Sequence, residues 1–176
     1  MSLELVVTAI GPDRPGLVSE ITGHVHGAGA NLADTRMVNL RGQCALIALV
    51  EGDAGVLEDV KKRLTDAASK IGVRVDFSSG TRREGSTARE GVPFRLKTYS
   101  MDQPGIVHRI TSYLREHAIN VEELVTRLES APFMGSPVFT MEILMLVPKT
   151  VGMKTIRTEL EHIGDELNCD DDLDPA

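Results

Sequence analysis

The sequence predicts an α+β chain that writes one βαββαβ unit twice. Three observations predict it. The stretch "GPDRPGLV" (Gly11–Val18) returns as "SMDQPGIV" (Ser100–Val107), 89 positions later. Each copy stands between a β-rich apolar run and an amphipathic helical one. The elements that follow come in the same order in both halves. A repeat of that length exceeds any solenoid period and reads as a duplicated domain.

In the first half, "LELVVTAI" is apolar and β-branched, a buried strand that ends at Gly11. After the Pro-Gly turn, Leu17, Val18, Ile21, Val25 and Ala28 recur at helical spacing until Gly29 stops the helix. "NLADTRMVNL" and "QCALIALVEG" read as two strands joined by a short hairpin at Arg41–Gly42. A second helix carries Val56, Leu57, Val60, Leu64, Ala68 and Ile71 on one face, and "VRVDF" closes the unit. That order is the split unit of ferredoxin-like folds.

The second half repeats it. "PFRLKTYS" is the strand, and Ile106, Val107, Ile110 and Leu114 are the helix stripe. Between 13–31 and 102–120, seven of nineteen positions are identical: Asp, Pro, Gly, Val, Ile, Thr and Asn. "NVEELVTRLES" and "VFTMEILMLVP" are the next strands, and Ile156, Leu160, Ile163 and Leu167 line the last helix. The offset has by then grown to 99, and the ten extra residues fit "SAPFMGSP" (Ser130–Pro137). The acidic "CDDD" within Leu167–Leu173 suits an edge strand at best. "GTRREGSTAREG" (Gly80–Gly91) is polar and Gly-bounded, a linker. The expected domains are therefore 1–79 and 92–176, with the linker at 80–91.

Composition narrows the function. At 41% hydrophobic and 26% charged, the chain is too apolar for disorder. No apolar run has the length of a membrane span, and the first residues lack a signal peptide's pattern. Cys44 and Cys169 match no metal spacing, so a cytoplasmic location is expected. The net charge of −7 divides into −2 for 1–79, +1 for the linker and −6 for 92–176. Neither half offers the basic surface that neutralises phosphates, which disfavours direct nucleic-acid binding.

The repeated turns are Asp13-Arg14-Pro15-Gly16 and Asp102-Gln103-Pro104-Gly105. Pro suits a first helical turn, Asp can cap it, and Gly admits a close neighbour. Each motif is thus complete as a plain helix start. It equally offers free N–H groups to a carboxylate, with Asn31 or Asn120 available for an α-amino group. Asn is also common just past a helix end, and on residue types alone the two readings are even.

"GPDRPGLV", "GANLADTRM" and "RGQCALIALV", then "DQPGIVHRI", "NVEELVTRLE" and "MGSPVFTMEILMLVP", resemble the tandem ACT-domain proteins of the glycine-cleavage-system repressor type. The resemblance covers nearly the whole chain except linker and acidic tail. It implies two ferredoxin-like modules with sheets packed side by side and small ligands held between them. By position it nominates Gly11, Pro12, Asp13, Arg14, Pro15, Gly16 and Leu17, with Asn31. The second copy contributes Met101, Asp102, Gln103, Pro104, Gly105 and Ile106, with Asn120. Gln103 in place of Arg14 leaves open a different ligand, or none, in one copy.

Rival readings are weaker. His24 and His26 are two apart on a helix and share no face, and no nucleophile with a partnered base is legible. Formyltetrahydrofolate deformylases resemble the first module, but their catalytic domain has no counterpart in these 176 residues. RNA-recognition modules share the element order but need aromatics on the central strands, where one Phe stands. Leu144 and Leu146, on the second face of the strand Phe139–Val147, suggest either a partner surface or ordinary packing between modules. The expected function is a non-enzymatic regulator that binds a small amino acid, without a cofactor, and acts through a partner protein. A scaffold with no ligand site in use is the alternative, and exposed strand edges leave a homodimer open.

Overall fold

The computed structural model describes residues 3–80, 91–130 and 137–176, which fall into two compact units, Met1–Gly85 and Ser86–Ala176. The expected linker and the connection Ser130–Pro137 lie, apart from their terminal residues, outside the described residues.

The first unit runs β1 (Leu3–Pro12), α1 (Leu17–Gly27), β2 (Asn31–Leu40), β3 (Gln43–Gly52), α2 (Ala54–Ile71), β4 (Arg74–Gly80). Its four strands form an antiparallel sheet in the order β2-β3-β1-β4. Alternation along β1 and β3 sends Leu5, Val7, Ala9, Leu46, Ala48 and Val50 to one face. Leu17, Ile21 and Val25 of α1, with Leu57, Val60 and Leu64 of α2, close over that face as a single apolar core. Each such side chain contributes roughly 1.5–3 kcal/mol by leaving water. The hairpin turn is Arg41–Gly42, both with positive φ (50° and 80°), the two-residue turn whose twist suits antiparallel strands.

The second unit repeats this as β5 (Val92–Met101), α3 (Ile106–Glu116), β6 (Asn120–Ser130), β7 (Pro137–Val147), α4 (Met153–Leu167), β8 (Cys169–Pro175). The sheet order is β6-β7-β5-β8, so the acidic final strand is indeed an edge. Met141, Ile143, Met145 and Val147 face the helices, as their alternation predicts, while Phe139 is only half-buried. On the other face of β7, Leu144 and Leu146 are half-buried, and Arg95 pairs with Glu142 on the same face. The open face of the first sheet exposes Ile10, Val38 and Ile47. Among the described residues no helix is long and apolar enough to cross a membrane.

One polar pair interrupts the second core. Thr98, fully buried, donates its hydroxyl to Asp171 Oδ1. Asp171 Oδ2 is buried beside Gly164 and has no hydrogen-bond partner. In the first unit the same register positions hold Ala9 and Val75. Burial raises the Asp171 carboxyl above its ordinary range, against the lowering effect of the Thr98 hydroxyl. The folded state therefore holds this proton more tightly than the unfolded state. Its contribution to stability is full below the ordinary carboxylate pKa and is lost as pH rises through the folded value. Asp171→Asn should remove that loss. Urea midpoints from about pH 4 toward neutrality should fall less in the variant than in the parent, and parallel profiles would contradict the assignment.

Candidate functional site

The turn after β1 is tighter than a plain helix start. Leu17 N donates to Arg14 O at 3.2 Å, and Gly16 has φ 87° and ψ −10°. Pro at the second position and a left-handed Gly at the third define a type II turn. Pro15 therefore precedes the helix rather than lying in its first turn. The first helical bond is Glu20 N to Gly16 O, 2.9 Å. The second unit matches it, with Gly105 at φ 101° and Arg109 N donating to Gly105 O at 2.9 Å.

Neither Asp caps its helix, contrary to the sequence reading. Asp13 is held by the β2–β3 hairpin: its N–H donates to Gly42 O at 2.8 Å, and its Oδ2 accepts from Asn39 Nδ2. Asn39 Oδ1 in turn accepts from Gly42 N at 3.1 Å. With the side-chain caps missing, helix geometry leaves the N–H groups of Val18 and Ser19 without intrahelical acceptors. Val107 and His108 hold the same places in α3. These donors, at the positive end of a helix dipole, are what the turn offers an anion.

Residues 14 and 103 differ in charge but perform one task. Arg14 grips Glu20 through two bonds (2.6 and 2.8 Å) and donates to Ile71 O at 3.2 Å. Gln103 Nε2 donates to Leu167 O. Ile71 and Leu167 are the last residues of α2 and α4, so each turn is tied to the end of its unit's second helix. The change of residue thus keeps the structural tie. The Arg14 hydrogen bond lowers the Glu20 carboxyl below its usual range, and the same bond raises Arg14. In the second unit the position of Glu20 is Arg109, which pairs with Glu166 at 3.1 Å. A carboxylate nearing α1 meets the Arg14–Glu20 pair, whereas one nearing α3 meets the Arg109–Glu166 pair.

The remaining candidates divide. Pro12, Asp13, Arg14, Pro15 and Gly16 are exposed, as are Met101, Asp102, Pro104 and Gly105. Leu17 and Ile106 are core side chains, 2% exposed, and lend a site only backbone. Gly11 is buried where a Cβ would lie 2.5 Å from Gly72 O, so its role is to admit that backbone. Asn31 and Asn120 do not join the turns of their own units. Asn31 shares a cross-strand row with Glu51 and Glu4, at the opposite end of β1 from Pro12. Eight strand residues separate those rows, roughly 26 Å. Asn120 is likewise in the row of Pro93, remote from Met101. Asn39 is the residue the sequence reading missed; its spacing three before Gly42 in a predicted hairpin was the available signal.

Burial and the nearby Asp13 raise the Cys44 thiol, which suits an inert core thiol rather than a nucleophile. Among the described residues no group of His, Cys, Asp or Glu is placed to hold a metal.

Residues 4–78 match the family model of the ACT domain. The chain is 26% identical over 169 residues to the glycine cleavage system transcriptional repressor of Escherichia coli (strain K12), covering 94% of this chain and 86% of that one. The protein of the same description from Shigella flexneri matches to the same extent. An unknown protein from Galdieria sulphuraria superimposes with a TM-score of 0.81 at 24% identity, covering 100% of this chain and 99% of that one. A structure described as a candidate glycine cleavage system transcriptional repressor gives 0.73 at 20% identity, over 99% and 97%. These two likenesses establish the fold.

The two kinds of glycine should separate by stability. Gly16→Ala meets only the Glu20 carboxylate at contact distance and Gly105→Ala meets open space, but both stand on a left-handed backbone, and each should cost about 1–2 kcal/mol. Gly11→Ala should cost more, because backbone must move. Urea denaturation of the three variants checks the order, and equal losses would refute it.

Proposed function

We propose, from the premise that this chain is a tandem ACT-domain protein of the glycine-cleavage-system repressor type, that it is a non-enzymatic, cytoplasmic regulator. It binds a small free amino acid at its strand–helix turns and acts through a partner protein. One observation carries this reading. Asp13 and Arg14, or Gln103 in the second copy, are each tied to neighbouring elements, yet two helical N–H donors per copy are left without an intrahelical acceptor or side-chain cap. A ligand carboxylate supplies the acceptor they lack. Each turn carries one ion pair beside those donors, Arg14–Glu20 in the first copy and Arg109–Glu166 in the second, so both turns are candidates.

The curated relatives are repressors of the glycine cleavage system by description, which makes glycine the first ligand to try. A net charge of −7 argues against direct DNA contact, so an effect on transcription passes through another protein. The ligand acts by favouring one conformation over another. The division 1–79, 80–91 and 92–176 remains our reading of the domains.

A scaffold role is supported by a separate observation, the exposed apolar face at Ile10 (42%), Val38 (47%) and Ile47 (48%). A face of that kind suits a protein partner.

A thermal-shift screen against free amino acids, glycine and serine first, decides between the two. A ligand at a hundred times its Kd should stabilise the protein by about 2.7 kcal/mol. Gly16→Val and Gly105→Val should each weaken that response, with circular dichroism confirming the fold of each. Unchanged binding in both variants would remove the turns as the site, and silence across the panel would favour the scaffold.

A further inference from the structure

The open face of the second sheet carries a charge pattern that the first sheet lacks. Arg95 of β5, Glu142 and Leu144 of β7, and Glu123, Val125 and Arg127 of β6 line a shallow depression of about 180 Å³. Arg95 pairs with Glu142. Glu123 and Arg127 make no ion pair or side-chain hydrogen bond among the described residues. A β-bulge between Val121 and Glu123 shifts the alternation of β6, so that Glu123 falls on the open face instead of the helix side.

The first unit supplies an internal comparison. Register equates Arg95, Leu144 and Glu123 with Val6, Leu49 and Asp34. Glu142 and Val125 correspond to Ile47 and Arg36, and Arg127 to Val38. There Asp34 pairs with Arg36 at 2.6 Å, and no charge stands at the positions of Arg95, Glu142 or Arg127. In the second unit Val125 replaces that arginine. The acid and the displaced guanidinium are left apart, one on each side of an apolar residue.

We propose that this depression binds a small zwitterion, a free α-amino acid. Its carboxylate rests on Arg127, its ammonium on Glu123, and its side chain on Val125 and Leu144. A lone anion would meet Glu123 and Glu142, and a lone cation would meet Arg95 and Arg127, with Lys97 in the row of Glu142 and Val125 adding to the repulsion. A neutral molecule leaves both free charges unmatched, so only opposite charges a few ångströms apart complement the set. The site is distinct from the two turns and does not depend on their binding anything.

The test is a proton–nitrogen NMR titration of the full chain with glycine, serine and leucine, and with acetate and ethylamine as single-charge probes. Zwitterions should shift the amides of 123–127 and 142–144, with acetate and ethylamine much weaker. Arg127→Gln and Glu123→Gln should each weaken that binding about tenfold. The double swap Glu123→Arg with Arg127→Glu should recover it, because the ligand can reverse. Wild-type affinity in both single variants would overturn the site, as would equal shifts from acetate. Shifts confined to 13–19 and 102–109 would overturn it while leaving the turn reading intact, and shifts confined to the sheet would do the reverse.

Discussion

In each unit one hydrogen bond fixes the turn against the second helix, from the residue after the turn's Asp to the last carbonyl of that helix. Arg14 makes it to Ile71 O, and Gln103 makes it to Leu167 O. It ties two points that are distant in sequence, and it does so without requiring charge. With that tie in place the Pro-Gly pair closes a type II turn, and the first helix begins directly above the sheet. Leu17 or Ile106 then drops into the core at the first helical position. The same geometry leaves two N–H donors facing outward. Stability and the candidate binding surface thus share one origin.

Duplication separates what the fold needs from what each copy has acquired. Both copies retain the left-handed glycine, the tie to the second helix and the bulge near the start of the third element. The charges around that frame have moved. A pair within the first turn, Arg14–Glu20, gives way to a pair between helices, Arg109–Glu166. An apolar contact, Ala9 beside Val75, gives way to a buried hydroxyl and carboxyl. Exposed pairs contribute little to stability, so charge can migrate between copies at small cost. A partly buried carboxyl with an unmet oxygen is different in kind, since burial disfavours its charged form.

Most of the fold was legible because it is written in local periodicity. The two-residue alternation of β3 and β7 and the helical stripes of α2 and α4 place those elements almost to the residue. The failures were tertiary. Asn31 follows α1 by four residues, which suggested nearness to the turn that begins the helix. A crossover helix returns the chain to the starting end of its strand, so Asn31 lies with Glu4 instead. Asp13 looked like a helix cap because the residue type favours one, but a hairpin side chain 26 residues away claimed its carboxylate. The bulge that reverses the facing of Glu123 has no signature in a polar stretch such as "NVEEL".

As the proposed sensor, the turn gains its value from what surrounds it. In the first unit it is bonded to the hairpin through Asp13 and to α2 through Arg14, so an anion seated on Val18 and Ser19 touches a rigid junction of three elements. A loose loop would absorb a ligand locally and pass nothing on. A junction of this kind has few ways to yield, and a small displacement must be shared by the hairpin and by the end of α2. A ligand shifts such a protein only by the difference in its affinity for two arrangements. The second turn lacks the Glu20 carboxylate and keeps its tie to α4 through an uncharged amide. There Arg109 pairs with Glu166, so the ion pair beside the helix start joins the two helices instead of the turn and its own helix.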